Sequence, residues 1–352
     1  MLFLLVAGFS LLLLVTGGDI AGGVRTAWLR VQLASRQDDL DRAISDDDTP
    51  VRFTVQSGDT ATAIGRRLQE QGLITDADLF RDYARLERLD VRLEAGTYFL
   101  NHTMSIRDIA NALTDSRFSQ IVFTILPGHR IEEVAENIDR NPFFAFTGDD
   151  FLAVVGPGAD IPADFAAAVG LPSGVSLEGF LFPDTYSLPP EVTPLMLRDT
   201  LLNAFDAAVD ATLRAQAAEQ GFTLYEMVTL ASIVEREAVH SEESPLVASV
   251  YRNRLATPGW RLDADPTVQY PLGGPGNWWP GITRADYQGV VSPYNTYRNL
   301  GLPPTPIANP SLTAIRAAIN PEPSPYFFFR ADCRGDGYHD FSVTYAEHSA
   351  LC

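Results

Sequence analysis

Ser176-Leu-Glu-Gly-Phe-Leu-Phe-Pro-Asp-Thr-Tyr186 sets one carboxylate, Glu178, among Phe180, Leu181 and Phe182, with a rigid Pro183-Asp184-Thr185 turn directly after. Apolar surroundings disfavour the charged form of a carboxyl group through desolvation, so it keeps its proton nearer to neutral pH. A protonated Glu that meets solvent is what general-acid cleavage of a glycosidic bond requires. The same stretch also fits an ordinary half-buried Glu ahead of a loop. Only the rest of the chain separates the two.

The chain has 352 residues, enough for two or three domains. Its 46 % hydrophobic and 20 % charged content is that of a folded globular protein. A formal net charge of −19 argues against a nucleic-acid partner and leaves a neutral polymer such as a glycan open. Every basic side chain is Arg, with no Lys anywhere. That absence removes Ser-Lys hydrolases, Schiff-base enzymes and phosphate-loop NTPases. The five histidines are scattered, and neither HExxH nor CxxC occurs, so no metal or other cofactor is expected. Cys333 and Cys352 either form one disulfide closing the C-terminal tail or are two unrelated thiols.

Leu2 to Val15 are almost wholly apolar, a little short of the ~20 residues that span a bilayer. The run fits a membrane anchor over residues 1–22, with a cleaved signal peptide as the rival reading. No basic head precedes it, and the first cations are Arg25, Arg30 and Arg36. Taken literally, the positive-inside rule would put the C-terminal side in the cytoplasm, but long domains translocate largely regardless of flanking charge, and everything after the anchor is expected outside it. An Asp-rich linker over residues 23–50 ends at Pro50.

Residues 51–116 read as a small module. Val51–Val55 alternates like a strand with Phe53 and Val55 on one face. Thr60 caps a helix over Ala61–Gln71, a second helix follows to Leu86, Leu93–Leu100 gives a turn and a strand, and Ser105–Leu113 is a capped helix. Val55-Gln-Ser-Gly-Asp-Thr60 before a helix resembles the opening of LysM domains, which hold N-acetylglucosamine-containing chains. Further on, Gln120–Leu126 is strand-like and Ile131–Asp139 helical. One long helix is expected over Thr193–Gln220, another over Thr223–Ala238 and a third over Pro245–Leu255. Beyond Leu255 the chain reads as loops, with strands near Tyr326–Ala331 and Phe341–Thr344.

Polar groups stand where a plain core would not want them. Glu235 lies at the edge of an apolar helix face in Leu230–Glu237. Asp265-Pro266-Thr267 reads as a rigid turn presenting a carboxylate and a hydroxyl. Tyr294, Asn295 and Tyr297 offer aromatic faces and an amide, the vocabulary of sugar binding, beside a proline-rich stretch that serves equally as a stiff scaffold.

Seven motifs then occur in order: Leu177–Tyr186, Ala231-Ser-Ile-Val-Glu235, Val247–Leu255, Asp265-Pro-Thr-Val268, Ser292-Pro-Tyr-Asn-Thr-Tyr297, Gly301-Leu-Pro-Pro304 with Ile307-Ala-Asn-Pro310, and Pro325–Phe329. The chain thereby resembles the endolytic murein transglycosylase (YceG-like) family over roughly residues 50–350. The resemblance implies an α+β protein with an N-terminal anchor, a LysM-like subdomain at 51–116 and a larger catalytic domain at 117–352. It also implies a membrane-anchored enzyme that cuts inside nascent peptidoglycan strands, at the MurNAc–GlcNAc bond, and leaves 1,6-anhydro ends. Peptidoglycan synthases are candidate partners. Its catalytic Glu falls on Glu178. Asp184, Glu235, Asp265, Thr267, Tyr294 and Asn295 are then expected to orient Glu178 or the sugar. A water-using muramidase and a glycan-binding scaffold are the alternatives. Three departures stand out: the missing basic head, Leu126-Pro127-Gly128 without an acidic residue before Gly, and an elaborated Gly273–Gly289 segment carrying Trp278-Trp279.

Overall fold

The structure, a computed structural model, describes residues 26–351. The expected anchor at 1–22 lies outside them. No helix of the described residues is long and apolar enough to cross a membrane. The architecture is mixed α+β, in two compact units divided between Ile121 and Val122.

In the first unit, strands β1 (Val51–Val55) and β2 (Gly96–Leu100) pair antiparallel, with Phe53 opposite Tyr98 and Val55 opposite Gly96. The predicted alternation holds, since Phe53 and Val55 are both buried. Helices α1 (Ala61–Glu70) and α2 (Ala77–Leu86) lie between the strands, and α3 (Ile106–Ala112) follows β2. Their starts are fixed by side chains that accept otherwise unpaired N–H groups: Thr60 from Ala63, Asp76 from Leu79, and Ser105 in a reciprocal box with Asp108. Ile64, Leu68, Phe80, Leu100 and Ile109 close the core over the sheet.

The second unit is mainly helical. Strand β3 (Ile121–Thr124) pairs with β4 (Thr185–Leu188), which directly follows the Glu178 stretch. Helices α4 (Ile131–Arg140), α5 (Gly148–Val155) and α6 (Ala163–Val169) fill the interval. The single helix expected over 193–220 is two, α7 (Pro194–Ala208) and α8 (Ala211–Glu219). Apolar periodicity continues through the break, but the Asp210 side chain accepts the Leu213 N–H and starts a new helix instead. Central to the unit is α9 (Leu224–Glu237), ten of whose fourteen residues are buried, so apolar contact surrounds it. It packs on α10 (Ser244–Ala256) and α13 (Leu312–Ile319).

The region after Leu255 is less loop-rich than its Pro and Gly content suggests. It carries α11 (Pro266–Leu272), α12 (Arg284–Gly289), α13 and α14 (Tyr345–Ala350), with an antiparallel hairpin of β5 (Phe328–Ala331) and β6 (His339–Ser342). Asp265-Pro266-Thr267 is thus a helix start rather than a free turn. Pro266 fits the first helical position because its missing N–H would be unpaired there anyway.

Cys333 is disulfide-bonded, and Cys352 is the sequence's other cysteine. Unreduced, denatured protein is accordingly expected to show no thiol to a colorimetric thiol reagent. A full signal before reduction would remove the cross-link and the C-terminal constraint with it.

Candidate active site

Glu178 sits on a sharp elbow of the chain. Gly179 follows at φ +90°, and a Cβ there would lie 2.5 Å from Pro306 Cβ and 2.9 Å from Val228 Cγ1. Phe180 beyond it is fully buried against Phe165, Phe205 and Tyr225, with ring centroids 5.1 to 6.0 Å away. Aromatic packing on one side and a residue without a side chain on the other therefore turn the Glu178 carboxyl toward the start of α4.

At that point the Ile131 N–H donates to both carboxyl oxygens, at 3.2 and 3.3 Å. Ile131 is the first residue of α4, so its N–H has no partner inside the helix, and the helix terminus favours negative charge there. The Tyr270 hydroxyl lies 3.5 Å from Oε2, and Asn309 Nδ2 lies 3.5 Å from Oε1. Glu178 itself is 0 % exposed. Burial therefore pushes its carboxyl well above the usual range, and the nearby Glu132 charge adds to the rise. Arg130 and the Ile131 N–H oppose it. The apolar setting read from the sequence is present, but the expected contact with solvent is not, because Ile131, Tyr270 and Asn309 close over the carboxyl.

A layer of cations and rings surrounds this pocket. The Arg130 guanidinium stacks 3.9 Å from the Tyr270 ring centroid and 4.8 Å from that of Trp278. Arg236 stacks 3.9 Å from Trp279. The indole N–H groups of Trp278 and Trp279 donate to Glu136 and Glu133 on α4, at 2.8 and 3.1 Å. Gln269 Nε2 donates to the Pro280 carbonyl at 3.0 Å, so the 273–280 strap is held at its far end too. Burial also lifts the Tyr270 hydroxyl far above its ordinary value, and it stays a neutral donor beside Glu178.

The sequence-derived residues fall into separate groups. Tyr294 reaches Glu178 through one intermediary, its ring 4.7 Å from that of Tyr270 and its hydroxyl 2.9 Å from Thr305 Oγ1. Asp265 accepts from the Tyr297 hydroxyl at 2.6 Å. Thr267 and Asn295 are fully buried. Thr267 donates to the Ala264 carbonyl and meets Thr296 Oγ1 at 2.8 Å. Asn295 donates to the carbonyls of Tyr287 and Val290 and accepts from the Tyr297 N–H. Their polar atoms thus hold loops, and neither residue meets solvent where a sugar would lie. Glu235 accepts from the N–H and hydroxyl of Ser311, at 3.0 and 2.6 Å, at the head of α13. Asp184 is exposed, and its carboxylate accepts from the adjacent Thr185 N–H at 2.7 Å.

Arg130 and Ile131 were not legible as site-forming from the sequence, and the half-buried Glu237 stands apart from them beside Tyr251. Burial raises Glu237 to about 7, against the pull of the Tyr251 hydroxyl 2.7 Å away. The one sequence signal for the α4 start was the Pro127-Gly128 turn ahead of an amphipathic run, since such a turn leaves helix N–H groups free to face a carboxylate. No group of three or more metal-ligating side chains occurs among the described residues.

The sequence profile of the YceG-like family matches residues 53–352. Proteins named endolytic murein transglycosylase from two Streptococcus pneumoniae strains are 31 % identical over 307 residues, 80 % of this chain and 54 % of theirs. The chain thus spans about half the length of those relatives. A protein of the same name from Bacillus subtilis is 27 % identical, over 88 % of this chain and 86 % of its own. A crystal structure of a yceG-like protein from Listeria monocytogenes superposes with a TM-score of 0.58 at 28 % identity, covering 86 % of this chain and 99 % of the other.

Proposed function

The chain belongs to the YceG-like family, and from that premise we propose that it is an endolytic peptidoglycan lytic transglycosylase with Glu178 as its acid and base. The observation that carries this reading is a fully buried carboxyl group at a helix N-terminus, where burial favours its protonated form and Arg130 and the Ile131 N–H favour its anion. Desolvation and Glu132 favour the acid before reaction, and the helix start and Arg130 favour the base after it.

In this mechanism the Glu178 proton passes to the oxygen bridging MurNAc C1 and GlcNAc C4. The C1–O bond breaks and oxocarbenium character builds at C1. The carboxylate then takes the proton of the MurNAc C6 hydroxyl, and O6 bonds to C1. One carboxyl group gives and regains one proton, with no water consumed, whereas retaining and inverting hydrolases use two carboxyl groups. Because Glu178 has no exposure, glycan enters only as the cover moves, and the Tyr270 hydroxyl at 3.5 Å is part of that cover. Asp184, Glu235, Asp265, Thr267, Tyr294 and Asn295 act in this reading as groups that shape the cleft or hold its loops.

The two-stranded sheet with two intervening helices in the first unit supports a LysM-like glycan-holding module over 51–116. The apolar run Leu2–Val15 supports a membrane anchor, and the Cys333 disulfide supports an oxidising, extracytoplasmic location. Peptidoglycan synthases are the partners such an enzyme would meet.

Mass analysis of fragments from uncrosslinked glycan strands tests the reading. Anhydro ends are expected. Reducing ends would make the protein a muramidase, and a second carboxylate would then be sought. The closed cover over Glu178 is the feature that favours the scaffold alternative, which strand binding without turnover by the intact protein would establish.

A further inference from the structure

We propose that Asn309 is the positioning residue that locks the Glu178 elbow against the helix start that receives it. The proposal rests on the acid–base reading of Glu178. Asn309 is fully buried, and all its polar atoms converge on this junction. Its side-chain carbonyl accepts the N–H groups of Gly179 and Leu181, both at 3.0 Å, and so grips the elbow immediately after the acid. Its side-chain amide donates to the His129 carbonyl at 2.9 Å and points its other hydrogen to Glu178 Oε1 at 3.5 Å. Its backbone N–H also donates to the His129 carbonyl, and its carbonyl accepts from Gly128, both at 2.8 Å. One side chain thereby ties the segment that carries the acid to the segment that ends in Ile131, whose N–H binds that acid.

No other natural side chain reproduces this set. A buried amide offers two acceptor lone pairs facing one way and two donors facing the other. Asp keeps the grip on Gly179 and Leu181 but loses both donors and sets a second anion beside Glu178. Ala loses every side-chain bond and keeps only the two backbone ones. The charged and titratable groups around Glu178 are Arg130 just ahead of α4, Glu132 and Glu133 from α4 and Tyr270 from α11, so an anion at 309 adds to the Glu132 side of the balance. It would hold Glu178 protonated to higher pH.

The test uses strand cleavage by the full chain, with wild type, Asn309→Asp, Asn309→Ala and Glu178→Gln assayed side by side. Both Asn309 variants are expected to lose about a hundredfold in kcat with KM nearly unchanged, as misplacing a catalytic group does. Asn309→Asp should also move the alkaline limb of the pH profile to higher pH. Folded variants with a lower melting temperature but the wild-type kcat and limb would reduce Asn309 to scaffold and overturn the proposal. A change confined to KM would overturn it as well. Where Asn309→Asp does not fold, the kcat and KM of Asn309→Ala decide. Glu178→Gln separates the two claims. An inactive Gln variant beside unaffected Asn309 variants removes only the present inference, whereas an active one removes the acid assignment and this inference with it.

Discussion

Glu178→Gln is expected to lose strand cleavage by about a thousand- to ten-thousandfold, the upper range for general acid–base catalysis, because in the proposed mechanism one group serves as both acid and base. Gln keeps the shape of the side chain and can still accept the Ile131 N–H that Glu178 binds at 3.2 Å. The fold is therefore expected to survive. Stability carries a second signature of the same carboxyl. Burial raises its folded pKa well above the unfolded value. The stability it contributes is complete below about 4.3, the unfolded value, and is lost as pH rises through the folded value. A neutral amide does not titrate. The stability of wild type minus that of Glu178→Gln should fall as pH rises across this window and turn in favour of the variant. Denaturant melts of both proteins across that range measure it. A Gln variant that cuts strands at the wild-type rate removes the assignment. A stability difference flat in pH would mean that the carboxyl is solvated in solution, in conflict with its burial.

What the sequence revealed here was chiefly local. Phe53 and Val55 share a buried face because strand alternation needs only neighbours, and Thr60 and Ser105 cap because their partners lie three residues on. The α9 core was legible for the same reason, its apolar residues recurring at helical spacing. Failures came where a nearby polar group outweighed periodicity, as at Asp210, or where Pro and Gly density masked short helices such as α11 and α12. The site was half legible. Its proposed acid stood out by type and neighbours. The groups that bury it come from 47, 92 and 131 residues away at Ile131, Tyr270 and Asn309, and no local pattern encodes that meeting. Thr267 and Asn295 misled for a related reason: a hydroxyl or an amide in a loop looks the same in sequence whether it faces a sugar or holds a carbonyl.

Gly179→Ala should be strongly destabilising. Two independent costs meet at this residue. Its φ of +90° is disfavoured for any residue with a Cβ, and that strain is worth roughly 1–2 kcal/mol. The added methyl would also lie 2.5 and 2.7 Å from Pro306 carbons and 2.9 Å from Val228 Cγ1, where neighbours are buried and cannot yield by rotating away. Overpacking of this kind typically costs a further 1–3 kcal/mol. Gly174 separates the terms, since its φ is +80° but nothing lies within 4 Å of a Cβ built there. Gly174→Ala should therefore show only the strain, about 1–2 kcal/mol, and Gly179→Ala about 2–5 kcal/mol. Urea midpoints of the two variants read the difference directly. Activity should part them further, because relief of the Gly179 clash moves the backbone that Asn309 grips and carries Glu178 away from Ile131, whereas Gly174 lies four residues before the acid. Equal losses in the two variants would mean that the elbow does not press on Pro306 and Val228 in solution, and the rigid presentation of Glu178 would have to come from elsewhere.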